Sequence, residues 1–184
     1  MARDEAYRQA EKKIEQARAD DAPRLNLSDM KLTSLPDTLG RLAKLRGLFL
    51  SSNQLTSLPK VLFRLTKLQI LDLRNNQLTS LPEVLGCLTN LQALNLHNNQ
   101  LASLPESLGR LTNLQALFLS SNQLTSLPDQ IQQLTRLKEL YLHDDPKLGF
   151  PSEILGPTWD DVLYREMKPA APQEILDYYF RSRA

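Results

Sequence analysis

The sequence predicts an α/β fold: a solenoid of stacked repeats with a parallel β-sheet along one side, a capping helix at its start and a helical cap or linker at its end. Three observations predict it. Asn53, Asn76, Asn99 and Asn122 recur every 23 residues, and the Leu-Pro pairs at 58–59, 81–82, 104–105 and 127–128 keep the same period. Within one unit, residues 91–113, leucines stand at positions 1, 4, 6, 11, 14, 18 and 21. Helical spacings of apolar residues occur at the two ends, before and after the repeats. A repeat of this length cannot bury its own apolar face, so neighbouring units must supply the cover.

The first element is a helix over residues 3–19. Tyr7, Ala10, Ile14 and Ala17 form one narrow apolar stripe on it, so residues 1–21 are expected to cap the first repeat. Six units follow at 22–44, 45–67, 68–90, 91–113, 114–136 and, in degenerate form, 137–159. Positions 4 and 6 of each unit alternate as in a strand with one buried face: Leu48 and Leu50 point inward, Gly47, Phe49 and Ser51 outward. The asparagine then turns the chain, and its amide is suited to satisfy backbone groups of its own and of the neighbouring coil. Asn53, Asn76, Asn99 and Asn122 are therefore structural candidates. The proline after position 14 is expected at the first position of a short helical or 3₁₀ turn, with Asp37, Glu83, Glu106 and Asp129 beside its positive end.

The end units depart from this pattern. Met30 stands where the first unit should have asparagine; the sixth has Asp145 there, Lys147 for a leucine and Phe150-Pro151 for Leu-Pro. Beyond them, residues 160–184 read as a helical cap or linker. Thr158 and Asp161 form a capping box for a helix from about Trp159 to Met167. The prolines of "KPAAP" end it, and Pro172 opens a last helix on which Ile175/Tyr179 and Leu176/Phe180 make i,i+4 apolar pairs.

The units resemble leucine-rich repeats of the 23-residue type, LxxLxLxxNxLxxLPxxLxxL, over residues 22–159. That resemblance implies a curved, right-handed solenoid with the parallel sheet on its concave side, which is the usual binding face. A second resemblance rests on "GFPSEILGPTWDDVLYREMKPAAPQEILDYYFRSR" and the charged first helix. These look like the leucine-rich-repeat domain of a bacterial Roco (Ras-of-complex) GTPase and the segment that leads into its Ras-like domain. No GxxxxGK[ST] phosphate-binding loop occurs in the 184 residues, so no GTPase domain is included. The resemblance implies that a larger protein continues past residue 184, and that Tyr178, Tyr179, Phe180 and Arg181 contact such a domain or cap the last repeat.

Outward strand positions define the candidate protein-binding face: Phe49, Ile70, Asp72, Arg74, Asn95, His97, Phe118, Glu139, Tyr141 and His143. Aromatic side chains with arginine on a solvated sheet are typical interface anchors. Phe118 and Tyr141 are expected to be cross-strand neighbours. Asp72 and His97 lack a nucleophile or an oxyanion donor, so no catalytic residue is assigned. His97 and His143 lie two strands apart, ~10 Å by strand spacing, and no metal or cofactor is expected. The function expected is non-enzymatic: binding a partner protein or an intramolecular Roc-type GTPase domain. A stand-alone leucine-rich-repeat scaffold or host-interacting effector is the alternative.

Composition narrows the setting. A net charge of +1 without a long basic run argues against nucleic acid, and no run of 18 apolar residues offers a membrane span. The charged N-terminus has no apolar stretch of the signal-peptide kind, and the single cysteine, Cys87, allows no intrachain disulfide. A cytoplasmic chain, monomeric or weakly dimeric, is the expectation.

Overall fold

The computed structural model describes residues 5–165 and 167–183. Residues 1–4, where the first helix was expected to begin, and Glu166 lie outside the described residues. Six three-residue strands form one parallel sheet in sequence order: β1 (Arg24–Asn26), β2 (Gly47–Phe49), β3 (Ile70–Asp72), β4 (Ala93–Asn95), β5 (Ala116–Phe118) and β6 (Glu139–Tyr141). The register advances by one repeat at each step, so Leu48 pairs with Leu71 and Phe118 with Tyr141. The inward leucines at positions 4 and 6 of the units join one continuous buried core.

Opposite the sheet, each of the first five units makes a 3₁₀ turn: Asp37–Arg41, Lys60–Arg64, Glu83–Cys87, Glu106–Arg110 and Asp129–Gln133. The prolines stand one residue earlier than expected, as caps with extended backbone. From that place their carbonyls accept the first turn bond, as in Leu39 N–H to Pro36 at 3.0 Å. Gly109 lets successive turns approach: a Cβ there would come within 2.7 Å of Gln130 Cβ.

The asparagine ladder ties coil to coil. The Asn76 amide donates to the carbonyls of Leu50 and Leu73 at 3.0 Å each and accepts from Leu55 N–H at 3.1 Å. Asn53, Asn99 and Asn122 repeat the pattern, each bonding the unit before it. Met30 can stand in the first unit because no coil precedes that unit. At the far end, Asp145 Oδ1 accepts from Leu124 N–H at 2.9 Å, but a carboxylate has no amide to donate. Burial pushes the Asp145 carboxyl up to about 6 against the two backbone bonds it accepts, with Asp144 adding to the rise.

The residue just before each of these positions sits in the left-handed region: Asp29, Ser52, Asn75, Asn98, Ser121 and Asp144 have φ between 53° and 60°. Mid-repeat acids also act across units. Glu83 was expected to favour its own turn; its carboxylate instead accepts from the N–H groups of Glu106 and Ser107 in the next one, at 3.3 and 3.0 Å. Those bonds, that to Ser107 first, hold its carboxyl below the usual range.

Helix α1 (Glu5–Ala19) covers β1 with Ala10, Ile14 and Ala17, and Lys13 Nζ donates to the Asn26 carbonyl at 3.3 Å. At the other end, α2 (Ser152–Leu155) takes the place of the sixth turn, followed by α3 (Trp159–Arg165) and α4 (Pro172–Arg181). The capping box is formed: Asp161 N–H donates to Thr158 Oγ1 at 3.2 Å, and Thr158 N–H to the Asp161 carboxylate at 3.1 Å. Helix α4 packs its Ile175, Leu176 and Tyr179 into the core. None of the described helices is long and apolar enough to cross a membrane.

Candidate protein-binding face

Phe49 begins the candidate face at its N-terminal side. Its ring lies over Gly47, where a Cβ would meet Phe49 Cε2 at 3.3 Å, so the glycine makes room for the aromatic. Asp72 and Arg74 occupy the middle and pair with each other, carboxylate to Nε at 3.4 Å. Asp72 also accepts from Arg74 N–H at 3.2 Å, and Asn95 does the same for His97 N–H at 3.0 Å. These short side-chain-to-backbone bonds end the strand and fix the direction of the position-7 side chains. Burial lifts the Asp72 carboxyl above its usual range although both contacts with Arg74 oppose the rise. Ile70, Asn95, His97 and Glu139 are half-buried on the same sheet surface.

The C-terminal third of the face is built differently from the expected open surface. Phe118 and Tyr141 stack in parallel, ring centres 5.2 Å apart and planes 5° apart. Tyr141 is not an exposed anchor: only 1% of it is accessible, and burial, then Glu139, pushes its hydroxyl up to about 12. The reason is that the chain after α2 folds back over the last strand. His143 Nε2 lies 3.0 Å from the Gly156 carbonyl, and Thr158 and Asp160 come to face Phe118. Together these residues enclose a cavity of about 140 Å³ whose other side is Arg74, Asn95 and His97. Strand spacing predicted the repeat-borne residues. Thr158 and Asp160 were missed because nothing periodic says where a cap will cross.

The tail residues divide. Tyr179 is 3% exposed: its hydroxyl accepts from Leu127 N–H at 2.8 Å, Phe150 stacks on its ring at 5.4 Å, and Arg183 lies 4.3 Å above it. It is engaged within this chain, which is the capping role rather than the interdomain contact. Phe180 is half-buried against Tyr179, whereas Tyr178 is 37% exposed and Arg181 is exposed beside Asp177. Cys87 is exposed on the turn side.

A family model for the leucine-rich repeat region matches residues 62–154. The chain belongs to the leucine-rich-repeat proteins. Such domains are generally protein-interaction modules. Among solved structures, this leucine-rich-repeat chain is similar to a leucine-rich-repeat protein of Leptospira interrogans (40% identity, TM-score 0.71), over 77% of this chain and 36% of that one. It thus spans about a third of that protein's length. The effector domain from Shigella is also similar, at 29% identity and a TM-score of 0.59, covering 73% of this chain and 55% of the other. So is the receptor-kinase ectodomain SOBIR1 from Arabidopsis thaliana, at 28% identity and 0.59, covering 66% and 70%. Comparison with curated protein sequences gives no match.

Proposed function

We propose that the chain is a non-enzymatic, preorganised protein-binding module that engages its partner through the outward strand residues. The observation that carries this reading is the cavity at residues 74–160, with an aromatic stack beside charged side chains on an otherwise rigid sheet. A sheet whose turns are tied by buried amides loses little backbone freedom on binding, so its side chains act at small entropic cost. The test is selection of binders from a displayed peptide library, followed by substitution. Phe49→Ala and Arg74→Ala are expected to weaken the selected binders, and Arg64→Ala and Arg110→Ala on the turn side to leave them unchanged. Loss of binding from the turn side alone would refute the reading.

A second reading is favoured by Tyr178, which projects from a helix whose other aromatic residues are packed. Here the chain is the repeat domain of a Roco-type GTPase, and Tyr178 and Arg181 contact the adjoining GTPase domain. Reading the gene past Ala184 tests it: a phosphate-binding loop within the next few tens of codons is expected, and its absence there leaves the stand-alone scaffold. Both readings take the chain to be cytoplasmic.

A further inference from the structure

Charge is unevenly spread along the solenoid. Residues 1–67 carry 13 Lys and Arg against 8 Asp and Glu, whereas residues 137–184 carry 6 against 9. The cavity by Phe118 belongs to the acidic end. Its one arginine, Arg74, is already paired with Asp72. Its two carboxylates are not so balanced. Among the described residues neither Asp144 nor Asp160 is in an ion pair, and Asp144 accepts a neutral hydrogen bond from Ser121 Oγ at 3.3 Å. The nearby Asp161 is committed to Thr158 and Arg165. An aromatic ring therefore shares a small cavity with two carboxylates that have no cationic partner among the described residues.

We propose that this cavity receives the arginine side chain of a partner polypeptide, deepening the concave-face reading on which it rests. A guanidinium is planar, is weakly hydrated, lies against aromatic rings and pairs with carboxylates in a two-pronged fashion. The volume fits: about 140 Å³ is close to that of a cavity that holds one benzene-sized group. A partner carboxylate would meet Asp144 and Asp160, and a neutral aromatic side chain would leave both unbalanced. Lysine supplies the charge but not the flat surface, so it ranks second.

The experiment uses the full ¹⁵N-labelled chain and blocked tripeptides carrying Arg, Lys, Gln or Phe between glycines. The arginine peptide is expected to shift the amides of His97, Phe118 and Asp160 and to bind about five- to tenfold more tightly than the glutamine peptide. Asp144→Asn with Asp160→Asn should remove that preference and its salt dependence. Both positions are exposed, and asparagine tolerates the left-handed backbone at Asp144, so the spectrum elsewhere should be unchanged. Equal binding of the glutamine peptide, tighter binding of the phenylalanine peptide, or an arginine preference that survives the double substitution would each overturn the proposal. Should the double variant misfold, raising the salt on the wild-type chain decides the same point: an arginine preference indifferent to salt refutes it. A library-selected binder that needs Phe49 and Arg74 but ignores Asp160→Asn would refute the arginine site and keep the concave-face reading.

Discussion

Replacing Asp145 with asparagine should make the protein more stable at neutral pH and should do so in a pH-dependent way. Asp145 is 5% exposed and holds the place of the ladder asparagine. Its carboxyl is raised from 3.8 to about 6 by burial. A carboxyl raised in the folded state stabilises the fold below its unfolded value, and that contribution is lost as pH rises through the folded value. The loss therefore falls between about pH 4 and pH 6. At about 1.36 kcal/mol per pH unit, the full shift amounts to roughly 2–3 kcal/mol. Asparagine keeps the acceptor for Leu124 N–H and supplies the donor that other rungs aim at the preceding and own-unit carbonyls, here those of Leu119 and Leu142. It gives up the 3.4 Å bond from Asn122 N–H to the second carboxylate oxygen. The net expectation at pH 7.5 is about 2 kcal/mol in favour of Asp145→Asn, read as a rise of roughly 4–8 °C in Tm. Near pH 4 the wild-type carboxyl is protonated, regains a donor, and the difference should shrink toward zero. Urea or thermal denaturation of both chains at the two pH values measures this. An equal or lower stability of the variant at pH 7.5, or a difference that does not change with pH, would refute the argument.

Three further substitutions probe the same physics. Asn76→Ala strands the buried N–H of Leu55 and leaves the Leu50 and Leu73 carbonyls with one amide donor each, from Asn53 and Asn99, and should cost about 2–3 kcal/mol in urea denaturation, with the loss centred on units two and three. Ser52→Asn places a residue tolerant of left-handed backbone at φ 55° and beside Asn75, and should raise stability by about 0.5 kcal/mol; a lower Tm contradicts that reading. Tyr179→Phe removes the acceptor of Leu127 N–H while keeping the ring, and should cost about 1–2 kcal/mol and speed amide exchange at Leu127, an effect absent if α4 is not a true cap.

Which features could be read in advance follows from how far their causes lie along the chain. Strand positions, the inward leucines and the pairing of Phe118 with Tyr141 all depend on a period of 23, so counting along the chain places them. The ladder role of Asn76 follows from residue chemistry, because a buried turn must satisfy its own backbone. Glu83 was harder: its proximity to a helical end was legible, but the end it caps lies one repeat on. The left-handed residues before the asparagines were missed because Ser, Asn and Asp share that place without a glycine to mark it.

The sequence by itself determined the α/β solenoid, its register, the capping helix at its start and the row of outward side chains. Periodicity is a local property repeated, and it needs no knowledge of distant contacts. Only the tertiary structure decided that the Gly156–Asp160 segment crosses the end of the concave face, buries Tyr141 and leaves a cavity beside Phe118. It alone also decided that Tyr179 reaches back 52 residues to Leu127. Those contacts join aperiodic segments to periodic ones, and their geometry depends on how the cap packs rather than on any spacing in the chain.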